Sequence, residues 1–396
     1  MSKKVQVVSF QSLSANSGAG MARLGHMLSK ELQKRGMLQN FIVHSKGKFD
    51  TEFPSQPVSF FSRYYLFLIN KLVSIFSIPS YKSRYWQELI FDWFCQWRLK
   101  KDTKVLFTTN AFMARTFTRA KKLGILIVLL PGTPEENYIY DIVSEENKRT
   151  GIHSTDAYTY KKRIKFFNTS INQVDTVIGF LPTVYTSYRD AGHKAEVVQI
   201  LGHMTPNFKE VTVDKKEKAD FHVGYIAHSV LLKGLQYLLG AWKDIAQHND
   251  YNITLHIAGG TDEAVEKYID DNFAGLPNIK WHGHISDIPA FMNEIDLLVV
   301  PSLIDGGPMT AVEAAHNGVP CIITDHCGSA ELLSRNTPGC WIIPIRDKDA
   351  IRDKILFAYN NRDICRQMGI NAKHNLDSYS MESFVIELAD YLEHKA

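Results

Sequence analysis

The sequence runs to 396 residues, 45% of them apolar and 22% charged, which is ample material for two α/β domains and too apolar for a disordered chain. Its 45 Lys and Arg nearly balance 42 Asp and Glu, leaving a formal charge of +3; no global field marks a nucleic-acid binder, and nucleic acid is not an expected partner. Cys95, Cys321, Cys327, Cys340 and Cys365 form no CxxC pair, which points to reduced thiols in a cytoplasmic protein and against a disulfide framework.

The chain opens MSKKVQVVSF, basic and then briefly apolar, and runs into a polar loop without a small-residue cleavage site. Residues 5–10 are therefore read as a first strand. The following SLSANSGAG leads into a helix with Met21, Leu24, Leu28 and Leu32 at helical spacing. Backbone N–H groups at such a helix start attract anions, and Gly18 and Gly20 let a ligand approach or simply shape a turn. There is no GxxxxGK[ST], so a P-loop ATPase is not supported. Further strands are expected over 40–44, 105–109, 125–130, 176–180 and 197–200.

Residues 58–101 interrupt this alternation with a dense aromatic stretch carrying seven Lys or Arg against two acids. Ser59, Arg63, Asn70, Ser74 and Ser77 fall on one narrow helical stripe and leave a wide apolar face. Two readings stand: a helix buried between the sheet and its neighbours, or a helix lying on an anionic membrane surface. No apolar run reaches the roughly 18 residues that a transmembrane helix needs. Beyond the fourth expected strand, PGTPEENY carries Glu135 and Glu136, which either bind acceptor hydroxyls or start the helix that follows.

A charged, turn-rich segment over 209–220 reads as a linker, and the alternation resumes with strands over 221–225, 253–258, 279–282, 297–301, 321–324 and 340–343. Strands alternating with helices in both halves define two tandem Rossmann-like, doubly wound domains. Ligands of such sheets sit beyond the carboxyl ends of the strands, and the cleft between the domains is the expected site. GYIAHSVLLKG follows a strand and places Lys233 where an ammonium meets a diphosphate. VVPSLIDGGPMTAVEAAHNGVP then joins a strand to a Gly-Gly-Pro loop and a helix carrying Glu313, with Asp305 in the loop. Free N–H groups and two carboxylates suit a polyhydroxylated, phosphorylated ligand. His228, His282 and His284 lack ligand spacing, so no metal is assigned. Asp347, Lys348 and Asp349 spell DxD but stand where a helix N-cap and first turn belong.

These residues carry a resemblance. The stretch is similar to PSxxEGxPxxxxEAxxxGxPVIxTDxGGxxEL of the retaining GT-B glycosyltransferases, family four. The matches are Pro301, Ser302, Gly306, Gly307, Pro308, Met309, Glu313, Ala314, Gly318, Val319, Pro320, Thr324, Asp325, Gly328 and Glu331. DTVIGFLPTVYTSYRDAGH, LHIAGG and WHGHISDIPAFMNEIDLLVVPS extend the likeness over nearly the whole chain outside 58–101. Two departures stand out: the first acidic position, usually Glu, is the shorter Asp305, and the common Arg after the glycine is Tyr225.

The resemblance implies an acceptor domain over 1–206, a linker over 207–220, a donor domain over 221–376, and a helix over 377–396 that packs back on the acceptor domain. It implies transfer, with retention, from a nucleotide-diphosphate sugar to a hydroxyl of a glycan or lipid-linked glycan, with no cofactor and no metal. Lys233 would neutralise the diphosphate, Gly20 would approach it, Asp305 would accept from donor-sugar hydroxyls, and Glu313 would hold the ribose. Gly306, Gly307, Pro308 and Met309 would complete the donor site, and Glu135 would contact the acceptor. The enzyme would be cytoplasmic, or peripheral on the inner membrane face. A sugar-nucleotide epimerase of the same architecture and a non-catalytic sugar-nucleotide-binding protein are the alternatives.

Overall fold

The computed structural model describes residues 4–13, 20–46, 51–152, 155–202, 220–247, 251–377 and 379–396. The loop containing Gly18 and all of the expected 207–220 linker except Asp220 lie outside these residues.

The first apolar runs do not alternate because they form strands covered on both faces, as parallel sheets require. In chain order the elements are β1 (Val5–Ser9), α1 (Gly20–Lys34), β2 (Leu38–Val43), β3 (Ser55–Pro57), α2 (Ser62–Phe76) and α3 (Ser80–Cys95). Then come β4 (Val105–Thr108), α4 (Ala114–Lys122), β5 (Leu126–Leu129), α5 (Glu136–Thr150), α6 (Lys161–Ile171), β6 (Thr176–Gly179), α7 (Pro182–Asp190) and β7 (Glu196–Gln199). Every residue of β1, β2 and β4 is buried. The sheet order is β3-β2-β1-β4-β5-β6-β7, with every pair parallel. Of these strands only the short edge strand β3 was not expected from the sequence.

The second sheet repeats the plan. Its elements are β8 (Phe221–Ile226), α8 (Leu235–Ala246), β9 (Ile253–Ala258), α9 (Glu263–Phe273), β10 (Ile279–Gly283), α10 (Ile288–Glu294) and β11 (Leu297–Val300). They continue with α11 (Met309–His316), β12 (Cys321–Thr324), α12 (Ser329–Leu333), β13 (Cys340–Ile343), α13 (Lys348–Asn360), α14 (Arg362–Asp377) and α15 (Met381–Lys395). The order β10-β9-β8-β11-β12-β13 is that of a doubly wound nucleotide-binding sheet, whose switch point lies between β8 and β11. Asp347 caps α13 by accepting from the Ala350 N–H at 2.8 Å, which accounts for the DxD triplet.

Two units result, one of Met1–Tyr140, Thr155–Thr205 and Ser380–Ala396, the other of Asp141–Ser154 and Pro206–Tyr379. The C-terminal α15 is part of the first: Arg35 of α1 binds Asp390 at 2.6 Å and Glu393 at 3.2 Å, and Phe384 packs on Phe180. Asp141–Ser154 falls inside the stretch read from sequence as 1–206 yet groups with the second unit. The cause is Glu146, fully buried, whose carboxylate accepts from Gln236 at 3.1 Å, Tyr237 at 2.7 Å and Arg346 at 2.9 Å. A buried carboxylate is retained only where donors satisfy it, and these donors all belong to the second unit.

Helix α2 does not follow the buried reading of 58–101. It turns Ser62, Tyr65, Leu66, Ile69 and Val73 inward and leaves Tyr64, Phe67, Leu68, Leu72, Ile75 and Phe76 in solvent. Tyr64 is 71% exposed, Phe67 64% and Phe76 67%, and Phe60 and Phe61 just before the helix are also exposed. Helix α3 is better anchored: Glu88, Phe91, Asp92 and Cys95 are buried, while Trp86 and Trp93 face outward. The five cysteines are buried and free, and no described helix is long and apolar enough to cross a membrane.

Candidate donor site in the second unit

At the β8/β11 switch point a cavity of about 320 Å³ opens beyond the strand ends. Its walls come from Tyr225 to His228 at the end of β8, from Val299 to Ser302 at the end of β11, and from Lys233, Asp305 and Gly307 to Thr310. Three local features build it. Gly234, with φ +72°, closes a one-turn 3-10 segment over Leu231–Lys233, and a Cβ there would stand 1.9 Å from the Pro301 carbonyl oxygen. Only glycine lets this turn lie against the end of β11. Leu303 N–H then donates to the Leu232 carbonyl at 2.8 Å, which fixes the Lys233 turn to the loop after β11.

Asp305 is held from both sides. Its N–H donates to His326 at 3.1 Å, its carbonyl accepts from Gly328 at 3.0 Å, and its Oδ1 accepts from the Gly307 N–H at 3.1 Å. Its Oδ2 faces Lys233 Nζ at 2.5 Å, with the two side chains 28% (Lys233) and 15% (Asp305) exposed. A partly screened charge pair thus stands inside the cavity wall. The first turn of α11, Met309 and Thr310, lines the same cavity and has no side-chain cap, so its N–H donors add to the positive end of the site.

The structure brings Lys233, Asp305, Gly307, Pro308 and Met309 together. Gly306 sits in the same loop without lining the cavity. Glu313, one turn beyond Met309 on α11, is half-buried, and burial raises its carboxyl above the ordinary range. It does not line the cavity. Gly20 opens α1 of the first unit with φ +54°, a region glycine favours. Tyr225, at the position where the resemblance leads one to look for Arg, is buried; its hydroxyl meets Ser229 Oγ at 3.2 Å and burial pushes its pKa up to about 12. It contributes a neutral wall and no second cation.

Glu135 behaves as the helix-starting alternative describes. It is buried, its Oε2 accepts from the Tyr138 N–H at 2.8 Å, and its Oε1 meets Asn137 at 2.6 Å and His193 at 3.0 Å. The fold uses both oxygens. Ile226, Ala227 and Thr310, which also line the cavity, were not singled out in the sequence, although a site at the carboxyl ends of β8 and β11 follows from the topology.

Residues 207–375 match the family model described as glycosyl transferases group 1. An uncharacterized glycosyltransferase of Methanocaldococcus jannaschii, MJ1178, is 27% identical over 241 residues, 59% of this chain and 65% of its own. The capsular polysaccharide biosynthesis glycosyltransferase CapM of Staphylococcus aureus is 26% identical over 163 residues, 40% of this chain and 42% of its own. The chain thus spans less than two thirds of the length of either relative. Among solved structures, Anabaena HepE in complex with UDP has a TM-score of 0.61 at 15% identity, covering 99% of this chain and 100% of that one. The fold is the two-domain, parallel-sheet GT-B architecture, and the group 1 match falls on its second unit.

Proposed function

We propose that the protein transfers a glycosyl unit from a nucleotide-diphosphate sugar to a hydroxyl of a glycan or lipid-linked glycan, with retention, as the family-four resemblance implies. The observation that carries this is the Lys233–Asp305 pair at the β8/β11 switch point of the matched domain. When the bond between the anomeric carbon and the diphosphate breaks, negative charge grows on the departing oxygen. Lys233 and the open N–H groups of α11 are preorganised to meet it. Asp305 orients Lys233 and offers an acceptor to donor hydroxyls, while Glu313 holds the ribose.

CapM is named for capsular polysaccharide biosynthesis and HepE is bound to UDP, which makes UDP-sugars the first donors to test. Transfer from a radiolabelled UDP-sugar is expected to persist in excess EDTA, because Lys233 supplies the leaving-group charge. A loss of turnover restored only by manganese or magnesium overturns the metal-free step. Mass-neutral conversion of the donor without an acceptor would favour the epimerase alternative.

The outward face of α2 supports a second element of the proposal, peripheral attachment to an anionic membrane. Tyr64, Phe67, Leu68, Leu72, Ile75 and Phe76 present an apolar helix face to solvent, flanked by the exposed basic residues Arg63 and Lys71. Apolar insertion and attraction of about 1 kcal/mol per basic residue near the surface act together. Co-sedimentation is expected to be strong with anionic vesicles, weak with neutral ones, and abolished by the Phe67→Asp, Ile75→Asp double variant. Equal partitioning to both vesicle types, or none to either, contradicts the proposal.

A further inference from the structure

Strands β8, β9 and β10 lie side by side, and their register carries His222, His256 and His282 diagonally across one face. His222 pairs with Thr254, two residues before His256, and His256 pairs with Lys280, two residues before His282. Residues two apart on a regular strand share a face; β10 shifts register between Trp281 and Gly283, and it is the ring-nitrogen contact that sets His282 beside His256. The imidazoles meet edge to edge: His222 Nδ1 is 2.9 Å from His256 Nε2, and His256 Nδ1 is 3.0 Å from His282 Nε2. Glu294, at the end of α10, brings Oε2 to 3.8 Å from His256 Nδ1. Phe291, one turn earlier on α10, packs against both the His256 and the His282 rings, which restricts their rotation.

We propose that His256 Nδ1, His282 Nε2 and the Glu294 carboxylate bind a divalent transition metal of the zinc class, pinning the edge strand β10 and helix α10 to β9. One ligand atom from each of these three side chains lies within 4.8 Å of the other two. A tetrahedral zinc ion with bonds of about 2.0–2.2 Å sets its ligand atoms about 3.3–3.6 Å apart. The 3.0 and 3.8 Å spacings therefore need shifts of a few tenths of an ångström and the third, within 4.8 Å, up to about 1.5 Å of side-chain movement. Glu294 is exposed and has room to make that adjustment.

The tautomers also fit. With its Nε2–H donated to His222 Nδ1, neutral His256 turns its Nδ1 lone pair toward His282 and Glu294. A metal-binding imidazole commonly gives its other N–H to such an outer partner, which fixes ring and tautomer. Two imidazoles and one carboxylate, with water in the fourth position, is a familiar zinc ligand set. His256 is 3% exposed, whereas His282 and Glu294 reach solvent and leave an entry path. None of these residues lines the donor cavity, so the metal has no part in the proposed transfer. It anchors a strand whose residues 280–283 are exposed.

The test uses the full-length protein, stripped with chelator and free of nucleotide. Titration with Co²⁺ is expected to produce the visible absorption of a low-symmetry nitrogen and oxygen site. Zn²⁺ should displace it and raise the unfolding temperature. His282→Ala and Glu294→Gln, both at solvent-reaching positions, are expected to weaken Zn²⁺ binding about 100-fold, and His222→Phe about 10- to 100-fold through the lost outer partner. Zn²⁺ affinity equal in the wild type and in Glu294→Gln and His282→Ala, or no Co²⁺ spectrum, overturns the proposal. Because nucleotide is absent, that failure is separate from any failure of the transferase reading.

Discussion

Lys233→Ala is expected to lower turnover about 10²- to 10³-fold, the scale found when one preorganised stabiliser of developing charge is removed. The same variant should bind free nucleoside diphosphate more weakly, since in the proposed transfer the ammonium meets the phosphates before and after bond cleavage. Asp305→Asn is expected to act differently. The pair at 2.5 Å means that Asp305 offsets part of the Lys233 charge, so removing the carboxylate charge frees the ammonium for phosphate. Diphosphate binding in Asp305→Asn should therefore stay unchanged or tighten, while turnover falls and discrimination among donor sugars relaxes. The asparagine retains an oxygen able to accept from Gly307 N–H, so the loop geometry survives. In the double variant the losses should not add, because each single change already breaks the pair. Calorimetric titration with UDP and rates of sugar transfer decide the matter. Undiminished turnover in Lys233→Ala removes the centre of the donor site and leaves only the fold.

The block from Pro301 to Glu331 was legible because a loop, a helix start and a strand lie consecutively in the chain, so spacing alone carries their geometry. The parallel strands were legible for a related reason: burial on both faces writes them as short apolar runs. Pairings across large separations were not. Lys233 and Asp305 are 72 residues apart, and spacing assigned each a role without revealing their contact. The histidines on β8, β9 and β10 meet only through strand register, and fixed-spacing reasoning passed over two of the three. In α2 the wide apolar face was plain, but periodicity does not say whether a partner covers it. For Glu135, sequence offered two roles, and the Tyr138 and Asn137 donors that occupy its oxygens lie close enough along the chain for the helix-starting one to be read.

Arg163→Met is expected to destabilise the first unit by about 3–5 kcal/mol at neutral pH, the usual consequence of removing one member of a buried charge network. Arg163 of α6 lies between two buried carboxylates: its Nε meets Glu88 Oε2 of α3 at 3.0 Å, and its Nη1 meets Glu136 Oε2 of α5 at 2.9 Å. Its guanidinium also lies over the Phe112 ring, 3.6 Å from the centroid. Three helices are joined by this residue, among them the one that carries the outward Trp86 and Trp93. Methionine replaces the packing volume and leaves the Glu136 carboxylate without its cation, while Glu88 keeps Arg84 at 3.0 Å. Burial already holds the Glu136 carboxyl above its ordinary range, and Arg163 opposes that rise. Without the arginine the folded-state value climbs further, so around and below neutrality the native state binds more protons than the unfolded chain. Stability of the variant should then increase as the pH falls from 7 towards the unfolded carboxyl value near 4.5. Urea unfolding of the wild type and Arg163→Met at pH 7 and pH 5.5 should show a difference that narrows at the lower pH. Adding Glu88→Gln and Glu136→Gln to Arg163→Met should recover much of the loss, because neutral side chains avoid the unpaired buried charge. A penalty below about 1 kcal/mol at pH 7 would mean that the carboxylates find other partners, and a penalty independent of pH would mean that lost packing over Phe112, and not charge, is what the arginine supplies.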